Sequence, residues 1–195
     1  IFVAPFRLWR RDQDEMQQLY ARIQPSLRVT TGTSEPWIQA QSGQQPGQHV
    51  VSPGYLYTYR IGLSNSGVEP VRNVRVRLAE IEPAPVRLIP MPCHLEIMND
   101  RQEPRRESFD LQQSARESDR DGVFVDVVRY FLGDSSQQWM GFCHLATGVN
   151  TSVPPQRYRL KLTISSDNGG ETIERWFYFD PSRNANDRFQ DDDGK

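Results

Sequence analysis

An all-β, immunoglobulin-like β-sandwich of about seven to nine strands, preceded by an N-terminal helix, is the fold this sequence predicts. The first observation is alternation. Tyr55, Tyr57, Tyr59, Ile61 and Leu63 alternate with small or polar residues, and Val74, Val76 and Leu78 alternate with Arg75, Arg77 and Ala79. A period of two puts one face in a core and the other in water. The second is repetition: Tyr158, Leu160, Leu162 and Ile164 show the same pattern later in the chain. The third is punctuation, because Asn65-Ser66-Gly67 and Asp167-Asn168-Gly169-Gly170 supply turn chemistry between runs.

Residues 1–9 open with Phe2, Val3, Ala4 and Phe6, followed at once by Arg7, Arg10 and Arg11. So short an apolar run cannot span a bilayer. The expectation is that it ends a spanning segment of roughly 20 residues that begins upstream. Phe6, Arg7, Trp9, Arg10 and Arg11 are then membrane-proximal, with Trp9 at the interface and the arginines on the cytoplasmic side. An amphipathic start packed on the domain is the competing reading.

Residues 10–26 read as a helical stalk. Arg10 to Gln24 holds no Gly or Pro, Met16, Leu19, Tyr20 and Ile23 recur at helical spacing, and Pro25 stops the run. The sandwich is expected over 27–181. Leu27 to Thr31 is a first short strand. Gly32 to Gly54 is a polar loop with a possible strand near Trp37-Ile38. Pro83, Pro85, Pro90 and Pro92 then cut the chain into pieces, with edge strands expected at Val86–Ile89 and His94–Met98. Asn99 to Asp121 reads as charged loop around Phe109 and Leu111. Strands follow at Val123–Leu132, Trp139–Ala146, Arg157–Ser165 and Thr172–Phe179. Residues 182–195, ending in an acidic run, are expected to be a disordered tail. The predicted core is Tyr59, Ile61, Leu63, Val74, Val76, Leu78, Val125, Val127, Leu160, Leu162, Ile164 and Phe177.

The order of segments carries a resemblance. Tyr57, Tyr59, Ile61, Leu63, Asn65 and Gly67 at alternate positions lead into the valine–arginine strand ending at Ile81-Glu82. Leu88-Ile89-Pro90-Met91-Pro92, Asn99-Asp100-Arg101, the strand from Val123 to Phe131, and Tyr158-Arg159-Leu160 leading to Ser166-Asp167-Asn168 continue it. This arrangement resembles the soluble immunoglobulin-like domain of functionally uncharacterised bacterial membrane-anchored proteins. The resemblance implies a sandwich and an anchor, and carries no activity.

Composition excludes some functions. With 23 basic and 25 acidic residues the formal charge is -2, so no basic excess points to nucleic acid. The two cysteines, Cys93 and Cys143, each precede a histidine. Neighbours on a strand face opposite ways, which disfavours zinc and leaves buried thiols or one disulfide. No nucleophile elbow, phosphate loop, dinucleotide fingerprint or metalloprotease motif is present in the sequence. Glu117, Asp119, Asp121 and Asp126 gather acids for a conceivable calcium loop, but lack the spacing of an EF-hand.

Asn99, Asp100 and Arg101 are the best polar ligand candidates, although an Asp–Arg neighbour pair also serves to tie a loop. Trp139, with Tyr55, Tyr57, Tyr59, Trp176 and Tyr178, is a candidate for an aromatic sugar platform. The expected function is a non-catalytic, membrane-associated interaction module that binds protein partners through the sandwich. It requires no metal or cofactor and sits on the cytoplasmic face of a bacterial inner membrane. The alternatives are small-ligand or carbohydrate sensing, and a periplasmic or secreted location.

Overall fold

The computed structural model describes residues 3–43, 54–85, 91–98, 107–113, 122–133, 138–143 and 152–192. Among the described residues one α-helix, α1 (Val3–Ile23), precedes thirteen strands. These are β1 (Leu27–Thr30), β2 (Ile38–Gly43), β3 (Gly54–Asn65), β4 (Val71–Glu82), β5 (Cys93–His94), β6 (Glu96–Met98), β7 (Phe109–Leu111), β8 (Val123–Gly133), β9 (Gln138–Phe142), β10 (Ser152–Val153), β11 (Tyr158–Ser165), β12 (Ile173–Phe179) and β13 (Phe189–Asp191). They form two antiparallel sheets packed together, an all-β sandwich with an N-terminal helix.

The first sheet runs β1-β3-β8-β9-β10, with β2 also on β3 and β6 also on β8. The second runs β13-β12-β11-β4-β5, with β7 also on β4. The strand number exceeds the sequence expectation because outer strands come as pieces. β1 and β2 share one edge of β3, pairing with Gly62–Asn65 and Gly54–Tyr59 respectively. In β4 and β11 the alternation holds, whereas β3 and β8 are buried on both faces over part of their length. All twelve predicted core residues are at most 2% exposed, and Arg159 and Lys161 face outward between them.

The core joins the sheets mainly through aromatic edges. Tyr59 meets Phe179 at 5.3 Å between ring centroids, and Phe142 meets Tyr158 at 5.6 Å, both edge to face. Phe177 stacks on Phe189 at 5.4 Å. Such geometries suit the ring quadrupole and add to the area buried.

Val3 to Ile23 is one continuous helix. Several expectations need correction. Phe109–Leu111 is a strand on β4 and not loop, because Phe109 and Leu111 pair with Val74 and Val71. The tail expected to be disordered is ordered through Asp192: Ala185–Asp187 forms a 3-10 turn and β13 pairs with β12. Buried Phe189 supplies the apolar anchor that the polar composition concealed.

The Asp167–Gly170 turn lies, as expected, in the loop that joins β11 and β12 as an antiparallel hairpin. β11 and β12 last pair at Ile164–Ile173, and the loop folds back on β4. There Asn168 accepts from the Arg72 amide at 2.7 Å and donates to the Pro70 carbonyl at 2.9 Å. Asn73, at φ 51°, donates to Asp167 at 2.6 Å. Asparagine tolerates that left-handed backbone better than most residues. The expected edge strand at Val86–Ile89 lies outside the described residues.

Candidate functional site

Every described side chain of α1, from Trp9 to Tyr20 and at Ile23, is exposed. Trp9 is 55% exposed, Met16 49%, Leu19 53%, Tyr20 58% and Ile23 43%. Trp9, Met16 and Ile23 are seven residues apart and Leu19 falls between the last two, so they form one stripe along the helix. Asp12 lies on the same stripe, between Trp9 and Met16. The opposite side carries Arg10, Arg11, Asp14 and Glu15, with Arg11 and Glu15 paired at 3.2 Å. Trp9, Arg10 and Arg11 are exposed. Phe6 and Arg7 belong to the same helix.

The helix is held at its base. Buried Asn65 accepts from the Ser26 and Gly67 amides, both at 3.0 Å, and donates to the Glu69 carbonyl at 2.7 Å. Glu69 in turn donates its amide to the Ile23 carbonyl at 3.0 Å, and Ser66 to that of Ser26 at 2.9 Å. Gly67 is required here, because a Cβ would overlap the Gln24 carbonyl. The Asn65-Ser66-Gly67 turn read from sequence is therefore also the socket of the helix.

The outer face of the first sheet holds a buried ion cluster. Arg60 donates to Asp126 at 2.7 Å and Arg129 donates to its other oxygen at 3.0 Å. Arg60 also donates to Gln39 at 2.5 Å and to the Pro36 carbonyl at 3.5 Å. A bulge between Tyr59 and Arg60 in the β3–β8 register leaves Val127 unpaired and brings Asp126 opposite Arg60. Trp37 covers the neighbouring surface, edge-on to Phe124 at 6.0 Å. Asp126 is 1% exposed and paired twice, so it is no calcium ligand. Glu117, Asp119 and Asp121 lie outside the described residues.

The outer face of the second sheet neutralises itself. Lys161 meets Glu174 at 3.0 Å and Glu80 at 3.3 Å. The Lys161 ammonium is held above its usual range by the hydrogen bond it donates to Glu174 and then by the one it donates to Glu80. Arg159 pairs with Asp192 at 2.8 Å and Glu82 at 3.2 Å, and lies over Trp176 at 4.7 Å. Arg157 covers Tyr178 at 4.3 Å. Among the described residues, both aromatic planes of this face, Trp176 and Tyr178, are covered by arginines.

The proposed sugar platform is not assembled. Trp139 is half-buried on the outer face of the first sheet, opposite Phe131. Tyr57 and Tyr59 line the inner face, while Trp176 and Tyr178 lie on the far sheet under arginines. Asn99, Asp100 and Arg101 lie outside the described residues. The chain matches no protein family, no curated protein and no solved structure.

Cys93 and Cys143 are both buried free thiols. Burial pushes the Cys93 thiol up to about 11, so it is no nucleophile near neutrality. Among the described residues no cluster of His, Cys, Asp and Glu could hold a metal ion. No described helix is long and apolar enough to cross a membrane.

A feature with no counterpart in the sequence reading is Arg188, within the segment expected to be disordered. It is 8% exposed and donates to the Tyr59 hydroxyl at 3.4 Å and the Arg183 carbonyl at 2.9 Å. Its guanidinium lies 4.8 Å from the Tyr130 ring centroid and 5.3 Å from that of Tyr57. A single Phe189 after a polar run was the only sequence signal that this stretch folds back.

Proposed function

We propose that the chain is a non-catalytic, membrane-associated interaction module whose sandwich is a rigid head and whose helix receives a protein partner. The observation that carries this reading is the exposed stripe of Trp9, Met16, Leu19, Tyr20 and Ile23 on a helix whose described side chains are all exposed. A protein helix suits it better than lipid. The seven-residue spacing matches a helix–helix seam, and Asp12 interrupts the stripe with a charge that hydrocarbon would not accept.

The strand order supports an immunoglobulin-like head. β1/β2-β3-β8-β6 and β12-β11-β4 follow the A-B-E-D and G-F-C arrangement of such sandwiches. The described outermost strands β1, β2, β5, β10 and β13 span only two to six residues each. Short edges offer little backbone for an added strand, which favours the helix over edge pairing as the contact. Trp9 beside Arg10 and Arg11 is the composition of a membrane–water boundary, and supports placement at a cytoplasmic membrane face.

The test is site-specific photocrosslinking of the full chain in membranes, at each position from Trp9 to Ile23. Crosslinks to one protein at 9, 16, 19 and 23, absent at 10, 14 and 17, are expected. Leu19→Lys should abolish them while changing stability by less than about 0.5 kcal/mol, since the site is exposed. Crosslinks to lipid alone, or none following the helical period, would sink the reading.

A further inference from the structure

We infer that Arg188 forms the base of a binding site for a carboxylate. The first argument is charge. A guanidinium that is more than nine-tenths buried normally has a carboxylate beside it, because desolvating a cation is costly. Arg188 has none among the described residues. The acids at this corner are engaged elsewhere: Asp180 with Arg183 at 3.7 Å, Asp191 with Arg175 at 2.7 Å, and Asp192 with Arg159 at 2.8 Å. Asp187, next in sequence, is exposed.

The second argument is orientation. Nε is held by the Arg183 carbonyl and Nη1 by the Tyr59 hydroxyl, so the fork is fixed before any ligand arrives. Burial pushes the Tyr59 phenol up to about 12, which keeps its hydroxyl neutral and able to accept. No acceptor among the described residues meets Nη2. The unspent N–H groups of a planar fork match the two oxygens of a carboxylate.

The third argument is selectivity. Arg183 is drawn to Asp180 and Gln190, so Arg188 stands as a single positive charge. One charge suits a carboxylate monoanion better than a phosphate dianion. Tyr57 and Tyr130 flank the guanidinium, and Tyr55, 56% exposed, stands 6.3 Å from Tyr57 between ring centroids. That aromatic rim favours a carboxylate attached to an apolar group. The ligand is either a small aromatic carboxylate or the C-terminal carboxylate of a peptide with an apolar last residue.

The site is at the end of β3 opposite the Asn65 socket, so it stands or falls separately from the helix stripe. The test is an NMR titration of the Arg188 Nε–Hε signal in the 195-residue chain. The probes are benzoate and an acetylated Ala-Ala-Phe peptide, each against its neutral amide twin. A saturable shift with the acids and none with the amides is expected. Arg188→Lys, which keeps charge but loses the fork, should weaken binding by about tenfold or more.

A peptide that binds more than about tenfold tighter than benzoate identifies a C-terminus as the ligand; the reverse order identifies a small carboxylate. Tyr55→Ser, at an exposed position, keeps the test open should the lysine variant fail to fold, and is expected to weaken binding about threefold. No shift with either acid, equal shifts with the amides, undiminished binding to the lysine variant, or stronger binding of inorganic phosphate would each overturn the assignment.

Discussion

Asp126 carries one negative charge and meets two guanidinium groups, of which Arg60 is buried and Arg129 is one-third exposed. Its removal therefore strands Arg60 more than Arg129, which can turn to water. Asp126→Ala should cost about 3–5 kcal/mol in chemical denaturation, the penalty for an uncompensated buried charge. The pair Arg60→Met with Asp126→Leu removes both charges and should cost less than the single change. A single change that costs less than the double would show that the cluster is hydrated in solution. The sequence put Asp126 on the strand from Val123 to Leu132 and counted it with an acidic cluster, but gave it no partner. Only the bulge that leaves Val127 unpaired brings it under Arg60, and a bulge leaves no trace in hydrophobic alternation.

Among the elements, α1 depends most on contacts that periodicity cannot reveal. Its helical spacing was legible from Met16 to Ile23, and so was the stop at Pro25. Its exposure was not, because an apolar stripe reads the same whether it packs on its own domain or on another. The socket was half legible: Asn65-Ser66-Gly67 announced a turn, but not that Asn65 would tie Ser26 and Glu69 across it. Gly67→Ala forces a methyl into the Gln24 carbonyl and should lower stability by about 1–3 kcal/mol. It should also raise hydrogen exchange at the amides of Ser26, Ser66 and Glu69 before the rest of the first sheet. Unchanged protection at those three amides would count against the socket.

For the whole molecule the sandwich was readable because strands such as β4 and β11 have one wet face and one dry one. The parts that escaped were short: β7, β10 and β13 have two or three residues each, too few for a period to show. Arg188 escaped with β13, since its role arises from Tyr57, Tyr59 and Tyr130 far along the chain. The buried acids of the core predict a response to alkali. Cys93 rises from 9.0 to about 11 and Tyr59 from 10.0 to about 12, both mainly through burial. Raised values mean that the folded state favours the neutral forms. Their contribution is full below the unfolded values, and is lost as pH rises through about 11 and then about 12. Unfolding free energy should thus decline above pH 9, and Cys93→Val should remove the earlier part of that decline. A flat profile from pH 9 to pH 11 would contradict the burial of the thiol.

Seen as a machine part, the Asn65 socket is the clamp at the root of a lever. Twenty-one helical residues make an arm of about 30 Å. Any tug on that arm is loaded onto the Asn65 hydrogen bonds before it reaches β1. Beyond them lies β1, whose first residue, Leu27, pairs with Asn65 itself. A pull directed away from the sheet would peel β1 from β3 one bond at a time, while β2 keeps its own grip on the other half of β3. The clamp thus sets a force threshold, and the division of one edge into two strands confines the damage to four residues.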